Sequence, residues 1–290
     1  MKTTIAFGEI LWDVYPDKKF IGGASLNFAA HFASHGGFAT LLSSLGDDEL
    51  GHEAIEVLNS HGINTDRVSL LPDKLTGQSI VTLNSLGIPS YNVLDDVAYD
   101  YIKDNIEAGE SFDALYFGTL SLRGMYNRES LRNTLQKGKF SEIFADVNIR
   151  HPHSLPENVD FAAASATIIK ISDEELDFVL SALRIDAKGT AGDAARLISE
   201  KYPNLKLIII TLGEKGAICY SRDERKEYFT PATKTKVKST VGAGDSFSAA
   251  FLYKYLSGKS IEDCLIHASR VSAFVVSETA AVPKYPEGLI

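Results

Sequence analysis

Short aliphatic runs alternate with amphipathic or small-residue segments along most of the chain. Ile5-Ala6-Phe7 predicts a first strand, followed by a helix from about Ser25 to Ser34; Thr40-Leu41-Leu42 predicts a second strand and Leu50 to Ser60 a helix. Later pairs are Ala114 to Phe117 with a helix after Asn127, Ile143 to Ala145 with a helix near Glu157 to Ala164, and Thr167 to Ile171 with a helix after Ser172. Leu207 to Thr211, close to a helix ending at Lys201, opens with four aliphatic residues in a row. Such a run is the mark of a parallel strand buried on both faces. Strands alternating with helices predict an α/β fold built on a doubly wound, mainly parallel sheet flanked by helices.

One region departs from this pattern. Ser79-Ile80-Val81-Thr82-Leu83, a turn at Leu86-Gly87-Ile88-Pro89 and Tyr91-Asn92-Val93-Leu94 read as a β-hairpin. With the segment around Val14 to Phe20 it would form a small separate sheet. We expect a single domain over residues 1–290, with a β-sheet lid made by about 12–20 and 76–100, serving as a flap or a homodimer interface.

Composition narrows the class. A chain of 290 residues with ordinary apolar and charged fractions is a globular protein. A formal net charge of -9 argues against a nucleic-acid surface, without excluding anionic ligands held by backbone N–H groups. Cys219 and Cys264 lie among apolar residues with no CxxC spacing, so buried free thiols in a reducing compartment are expected. With no signal-peptide pattern and no span-length apolar stretch, the expected location is cytoplasmic, away from the membrane.

The strongest local chemistry is Val241-Gly242-Ala243-Gly244-Asp245-Ser246-Phe247, after a basic, β-leaning stretch and before helix-compatible residues up to Leu256. Small residues at a helix start let backbone N–H groups and the helix dipole hold an anion. Asp245 falls in the first turn, where the dipole would help keep it ionised as a general base. Taken alone, the pattern fits a glycine turn with an N-terminal Asp equally well. Position 247 is Phe, so the Rossmann GxGxxG is not met, and Tyr253 stands where a Walker A glycine is required before Ser257-Gly258-Lys259-Ser260. That last string reads as a helix C-cap and turn.

Thr240 to Ala250 resembles the C-terminal signature of the ribokinase-like (PfkB) sugar kinases. The resemblance implies that Gly242, Ala243 and Gly244 form an anion hole and that Asp245 deprotonates a sugar hydroxyl. Four more segments match in family order. Gly8-Glu9-Ile10-Leu11-Trp12-Asp13 with Gly22-Gly23-Ala24-Ser25-Leu26-Asn27 implies sugar contacts from Asp13, Gly22, Gly23 and Asn27. Asp146-Val147-Asn148-Ile149-Arg150 implies sugar or phosphate contacts from Asn148 and Arg150. Lys170 to Glu175 resembles the N-x-x-E segment, with Ser172 in place of Asn and Glu175 acting on Mg²⁺ through water, while also reading as a capping box. Thr211-Leu212-Gly213-Glu214-Lys215-Gly216 resembles the nucleotide loop, implying Thr211, Gly213 and Gly216; as a lone string it is a hairpin turn. Adenine contacts are expected within His267 to Ser277. His151-Pro152-His153 lacks further metal ligands at sensible spacing and reads as loop.

The implied reaction is ATP-dependent phosphorylation of a primary hydroxyl, with ATP, Mg²⁺ and a monovalent cation as cofactors. The N-terminal motifs are most similar to bacterial fructokinases, so fructose is the first expected substrate; ribose, 2-keto-3-deoxygluconate and nucleosides such as adenosine are the alternatives. A sugar- or nucleotide-binding regulator without catalysis would show a lost base or a broken anion hole, and this chain shows neither.

Overall fold

A computed structural model describes residues 1–83 and 89–290; the expected turn at 86–89 falls largely outside the described residues. Within them, β1 (Thr3–Phe7), α1 (Ala24–Ser34), β4 (Phe38–Gly46), α2 (Glu49–Ser60) and β5 (Val68–Leu71) form the first half of the main sheet and its helices. β2 (Leu11–Val14) and β3 (Lys19–Gly22) are inserted between β1 and α1. β6 (Gly77–Leu83) and β7 (Pro89–Val93) follow β5. The second half runs β8 (Ser111–Gly118), α3 (Met125–Lys137), β9 (Lys139–Asp146), α4 (Pro156–Ser165), β10 (Ile168–Ser172), α5 (Asp173–Ala182), α6 (Ala191–Lys201) and β11 (Leu207–Thr211). It ends in β12 (Ala217–Ser221), β13 (Lys226–Thr230), α7 (Ala243–Leu256) and α8 (Ile261–Val276).

The nine-stranded sheet has the order β13-β12-β11-β10-β9-β8-β1-β4-β5. Pairings from β11 through β5 are parallel, and β12 and β13 add an antiparallel edge. Period-two alternation sorts the strand side chains onto two dry faces. Leu207 and Ile209 pack with residues of α1, α2, α7 and α8, whereas Ile208 and Ile210 pack with residues of α3 to α6. This is the doubly wound architecture that the alternating pattern predicts.

A second, four-stranded sheet has the order β3-β2-β6-β7, with β2 and β6 parallel and the other pairs antiparallel. The hairpin and the Val14–Phe20 region therefore do join. The basic stretch before Ser239 does not form the strand its composition suggests: residues 231–241 run without regular structure along the cavity described below. Both cysteines are buried free thiols, and no helix among the described residues is long and apolar enough to cross a membrane.

Candidate active site

In a doubly wound sheet the crevice lies beyond the carboxyl ends of the strands, where helix N-termini converge. Here a cavity of about 1520 Å³ occupies that edge and extends under the small sheet. It is lined by every residue to which the five matched motifs give a role: Asp13, Gly22, Gly23, Asn27, Asn148, Arg150, Glu175, Thr211, Gly213, Gly216, Gly242, Ala243, Gly244 and Asp245.

Gly242 is the N-cap of α7, with φ 80° in the left-handed region. A Cβ there would stand 2.5 Å from the Ala281 carbonyl oxygen, so only glycine fits both the turn and its neighbour. Ala243 and Gly244 open the helix and Asp245 is its third residue, so their amides are among those that lack an intrahelical partner, and the Ala243 N–H donates to the Thr240 carbonyl before the helix at 3.3 Å. Ala243 is held from behind, its carbonyl accepting the Ser272 hydroxyl at 3.0 Å.

Asp245 departs from expectation in its charge state. The helix dipole favours a carboxylate, but burial and the nearby charge of Asp146 outweigh it and push the Asp245 pKa up to about 7. The Asn27 amide, Lys170 and Arg150 act in the opposite sense. Asn27 Nδ2 donates to Asp245 Oδ2 at 2.8 Å, while Asn27 Oδ1 is buried without a hydrogen-bond partner among the described residues. Asn27 thus holds the acid with one end and leaves an acceptor with the other.

The neighbouring glycines differ in what they need. Gly23, the α1 N-cap, has φ 114°, and a Cβ on it would lie 2.3 Å from the Glu9 carbonyl oxygen. Its requirement is therefore backbone packing. Gly22 has no such clash, its nearest neighbour being Asp13 Oδ2 at 3.8 Å. Asp13 projects from β2 with its pKa raised by burial, against a hydrogen bond from the Ser79 side chain.

Asn148, after β9, sits at φ 44°, a region that Asn tolerates better than most residues. Arg150 is exposed at the rim, its guanidinium donating to the Ile149 carbonyl at 2.9 Å. Glu175 is engaged by the backbone: Oε1 accepts the Ile149 N–H at 2.7 Å and Oε2 the Ser172 N–H at 2.8 Å. The carboxylate thus ties the start of α5 to the loop after β9, as its capping-box position predicts. Its remaining lone pairs suit an outer-sphere contact through water to Mg²⁺, which keeps several waters in protein sites.

The Thr211 loop is the hairpin that its bare sequence suggests, joining antiparallel β11 and β12. Gly213 has φ 55° with open space around it; a Cβ on Gly216 would lie 2.0 Å from the Thr230 carbonyl. Of the region expected at the adenine side, Ser269, Ser272, Ala273 and Val276 line the cavity. His267 turns away, its Nε2 lying 3.0 Å from His35 Nε2, and Arg270 is exposed.

Three features escaped the sequence reading. Glu9 is buried, and its Oε1 accepts the Ala24 N–H at 2.9 Å, capping α1 from the loop after β1. Its place inside the first matched motif was the available signal. Lys170 and Asp146 form a buried ion pair at the cavity floor. Residues 279–282 supply a wall distant in sequence from the glycine turn it touches. His31 anchors that wall, its Nε2 lying 3.0 Å from the Ala281 carbonyl oxygen while the Tyr285 hydroxyl lies 2.6 Å from Nδ1. Burial lowers the His31 pKa to about 3, so the ring is neutral and the pattern requires an Nε2–H tautomer.

Comparison with known proteins supplies the family. A probable fructokinase-5 of Arabidopsis thaliana is 28% identical over 97% of this chain and 94% of its own length. Fructokinase-2 of Solanum habrochaites is 26% identical over 97% and 92%. Among solved structures, a Vibrio cholerae fructokinase bound to fructose, ADP and calcium has a TM-score of 0.82 at 21% identity, covering 99% of this chain and 96% of that one. Aminoimidazole riboside kinase from Salmonella enterica has a TM-score of 0.81 at 23% identity, covering 98% and 97%. These two likenesses show the shared fold. The profile of the pfkB family carbohydrate kinases matches residues 7–287, and the chain belongs to that family.

Proposed function

We propose that this carbohydrate kinase transfers the γ-phosphoryl group of ATP to a primary hydroxyl of a small sugar, with fructose as the first substrate. The observation that carries this reading is the placement of Asp245. It follows the glycine turn, is hydrogen-bonded to Asn27, and lines the same cavity as Asp13 and the Thr211 loop.

In this reading Asp13, Gly22 and Asn27 face the sugar, and Asn27 Oδ1 accepts from one of its hydroxyls. Asp245 takes the proton of the attacking hydroxyl as that oxygen bonds to the γ-phosphorus. The bond to the leaving ADP oxygen breaks with its electron pair, and the amides of Gly242, Ala243 and Gly244 stabilise the charge on the transferring group. Such chemistry asks the protein for positioning and charge stabilisation rather than covalent intermediates. Arg150 and Asn148 hold phosphate or sugar oxygens, while Thr211, Gly213 and Gly216 border the nucleotide.

Glu175 would hold Mg²⁺ through water; the ion supplies neutralisation of phosphate charge. A monovalent cation is part of the same family expectation. The small sheet closes over the sugar as a lid on a single-domain enzyme and excludes water that would otherwise hydrolyse ATP. It also offers a surface for a homodimer. The acidic balance and the buried free thiols support a cytoplasmic enzyme acting on small molecules rather than on nucleic acid or at a membrane.

Fructose rests on the N-terminal motifs and on the fructokinase relatives. A coupled ADP-release assay with Mg-ATP over fructose, ribose, 2-keto-3-deoxygluconate and adenosine tests the reading. Sugar-dependent release that is fastest with fructose is expected. Preference for another acceptor replaces the substrate, and release with none removes the kinase assignment.

A further inference from the structure

Against the glycine turn lies a charge pair that the mechanism above does not use. Lys170, near the end of β10, is 4% exposed, and Asp146, at the end of β9, is 2% exposed. Lys170 Nζ donates to both Asp146 oxygens, at 2.7 and 2.9 Å. Asp146 Oδ2 also accepts the Ser248 hydroxyl at 2.9 Å, which ties the pair to α7 one turn beyond Asp245.

A buried ion pair is poorly explained by stability, because desolvating two charges consumes most or all of their attraction and apolar replacements often fold as well. Its location suggests another reason. Both side chains line the cavity at the sheet edge where ligands bind. A Cβ on Gly244 would lie 3.3 Å from Lys170 Nζ, so the ammonium abuts the anion-holding turn. An ammonium has three N–H donors. Two serve Asp146, and the third has no protein acceptor among the described residues.

We propose that Lys170 is a further catalytic residue of the transfer site: its third N–H donates to the transferring phosphoryl group at the Gly244 turn, with Asp146 and Ser248 as positioning residues. The inference rests on the kinase reading above. No bond to Lys170 forms or breaks and it passes no proton, since the hydroxyl proton goes to Asp245 and the electron pair leaves with ADP.

The same pair flanks the base. The groups facing Asp245 are Asp146 on β9, Lys170 on β10, Asn27 on α1, Arg150 after β9 and Tyr116 on β8. Asp146 raises the Asp245 pKa and Lys170 lowers it, so the two charges pull the base in opposite directions.

The test compares wild type with Lys170→Met, Asp146→Asn and the double variant, which removes both charges with little change of shape. Steady-state phosphorylation of fructose by Mg-ATP is followed across neutral pH, with thermal melts in parallel. Loss of Lys170, alone or in the double variant, should lower kcat by about 10²-fold or more, the cost of removing one oxyanion donor, with the fructose KM near wild type. The acidic limb of the kcat profile should move up in Lys170→Met and down in Asp146→Asn, which a structural role would not produce. A folded double variant with wild-type kcat overturns the proposal, wherever its acidic limb lies, since loss of both opposing charges leaves the limb near its wild-type place. So does failure of every variant to fold, which would mark the pair as structural. Absence of transfer by the wild type instead removes the kinase reading itself.

Discussion

Asn27 Nδ2 donates to Asp245 Oδ2 at 2.8 Å, joining α1 to the first turn of α7. The link spans 218 residues of sequence and orients the carboxyl that the proposed mechanism uses as its base. It also favours the ionised form, because the donated hydrogen bond stabilises the carboxylate. Asn27→Ala should therefore move the acidic limb of the pH–rate profile upward. It should lower kcat/KM at neutral pH by about tenfold or more, as expected for losing a hydrogen bond to a charged group. An unmoved limb would show that the contact does not set the ionisation of the base.

Asp245→Asn should fold and bind sugar yet lose about 10²–10⁴-fold in kcat, the range for a general base. Wild-type stability should also depend on pH in a predictable sense. The folded-state pKa of about 7 lies above the ordinary 3.8, so the folded protein binds the extra proton between those values. Wild-type stability contributed by the neutral acid is present at low pH and declines as pH rises from about 4 through 7. The Asn variant escapes that decline. Melting curves should show it a few degrees above wild type at alkaline pH, with the gap closing in acid.

Gly22 and Gly23 look alike in sequence and should respond differently. Gly23→Ala forces a Cβ against the Glu9 carbonyl at a φ that non-glycine residues avoid. It should cost about 1–3 kcal/mol of stability, read as a lowered urea midpoint. Gly22→Ala meets only ordinary contact with Asp13 and should fold normally while raising the KM for sugar.

Glu175→Gln tests two roles at once. Gln retains one acceptor where the carboxylate serves two backbone N–H groups, so the start of α5 should weaken by about 1 kcal/mol. A Mg²⁺ role predicts in addition a higher Mg²⁺ requirement for half-maximal rate. A lowered Tm with unchanged Mg²⁺ dependence would leave the residue a helix cap alone.

The main sheet was legible because its strands are buried on both faces, and runs such as Leu207–Ile210 cannot be mistaken for an amphipathic surface. Strand ends were not: β4 runs to Gly46, beyond the Thr40–Leu42 that the aliphatic run marks, because Ser43 and Ser44 lie buried within it. The glycine turn could be located but its charge state could not. Whether a dipole or desolvation governs Asp245 depends on Asp146 and Lys170, which lie 99 and 75 positions away in sequence. Those two residues look like ordinary strand-end charges in a linear reading. Only the parallel pairing of β9 with β10, which sets Lys170 beside Asp146, reveals them as a buried pair.

The contact of Gly242 with Ala281 gives the final residues of the chain an unexpected weight. The segment from Thr279 to Tyr285 carries none of the matched motifs, yet its Ala281 carbonyl backs the glycine turn and is anchored through His31 and Tyr285. A chain ending after Thr279 would keep every motif intact and still lose the buttress that packs against the Gly242 turn. On the proposed mechanism, trimming or fusing the segment after Thr279 would act as an active-site mutation, although it changes no motif residue.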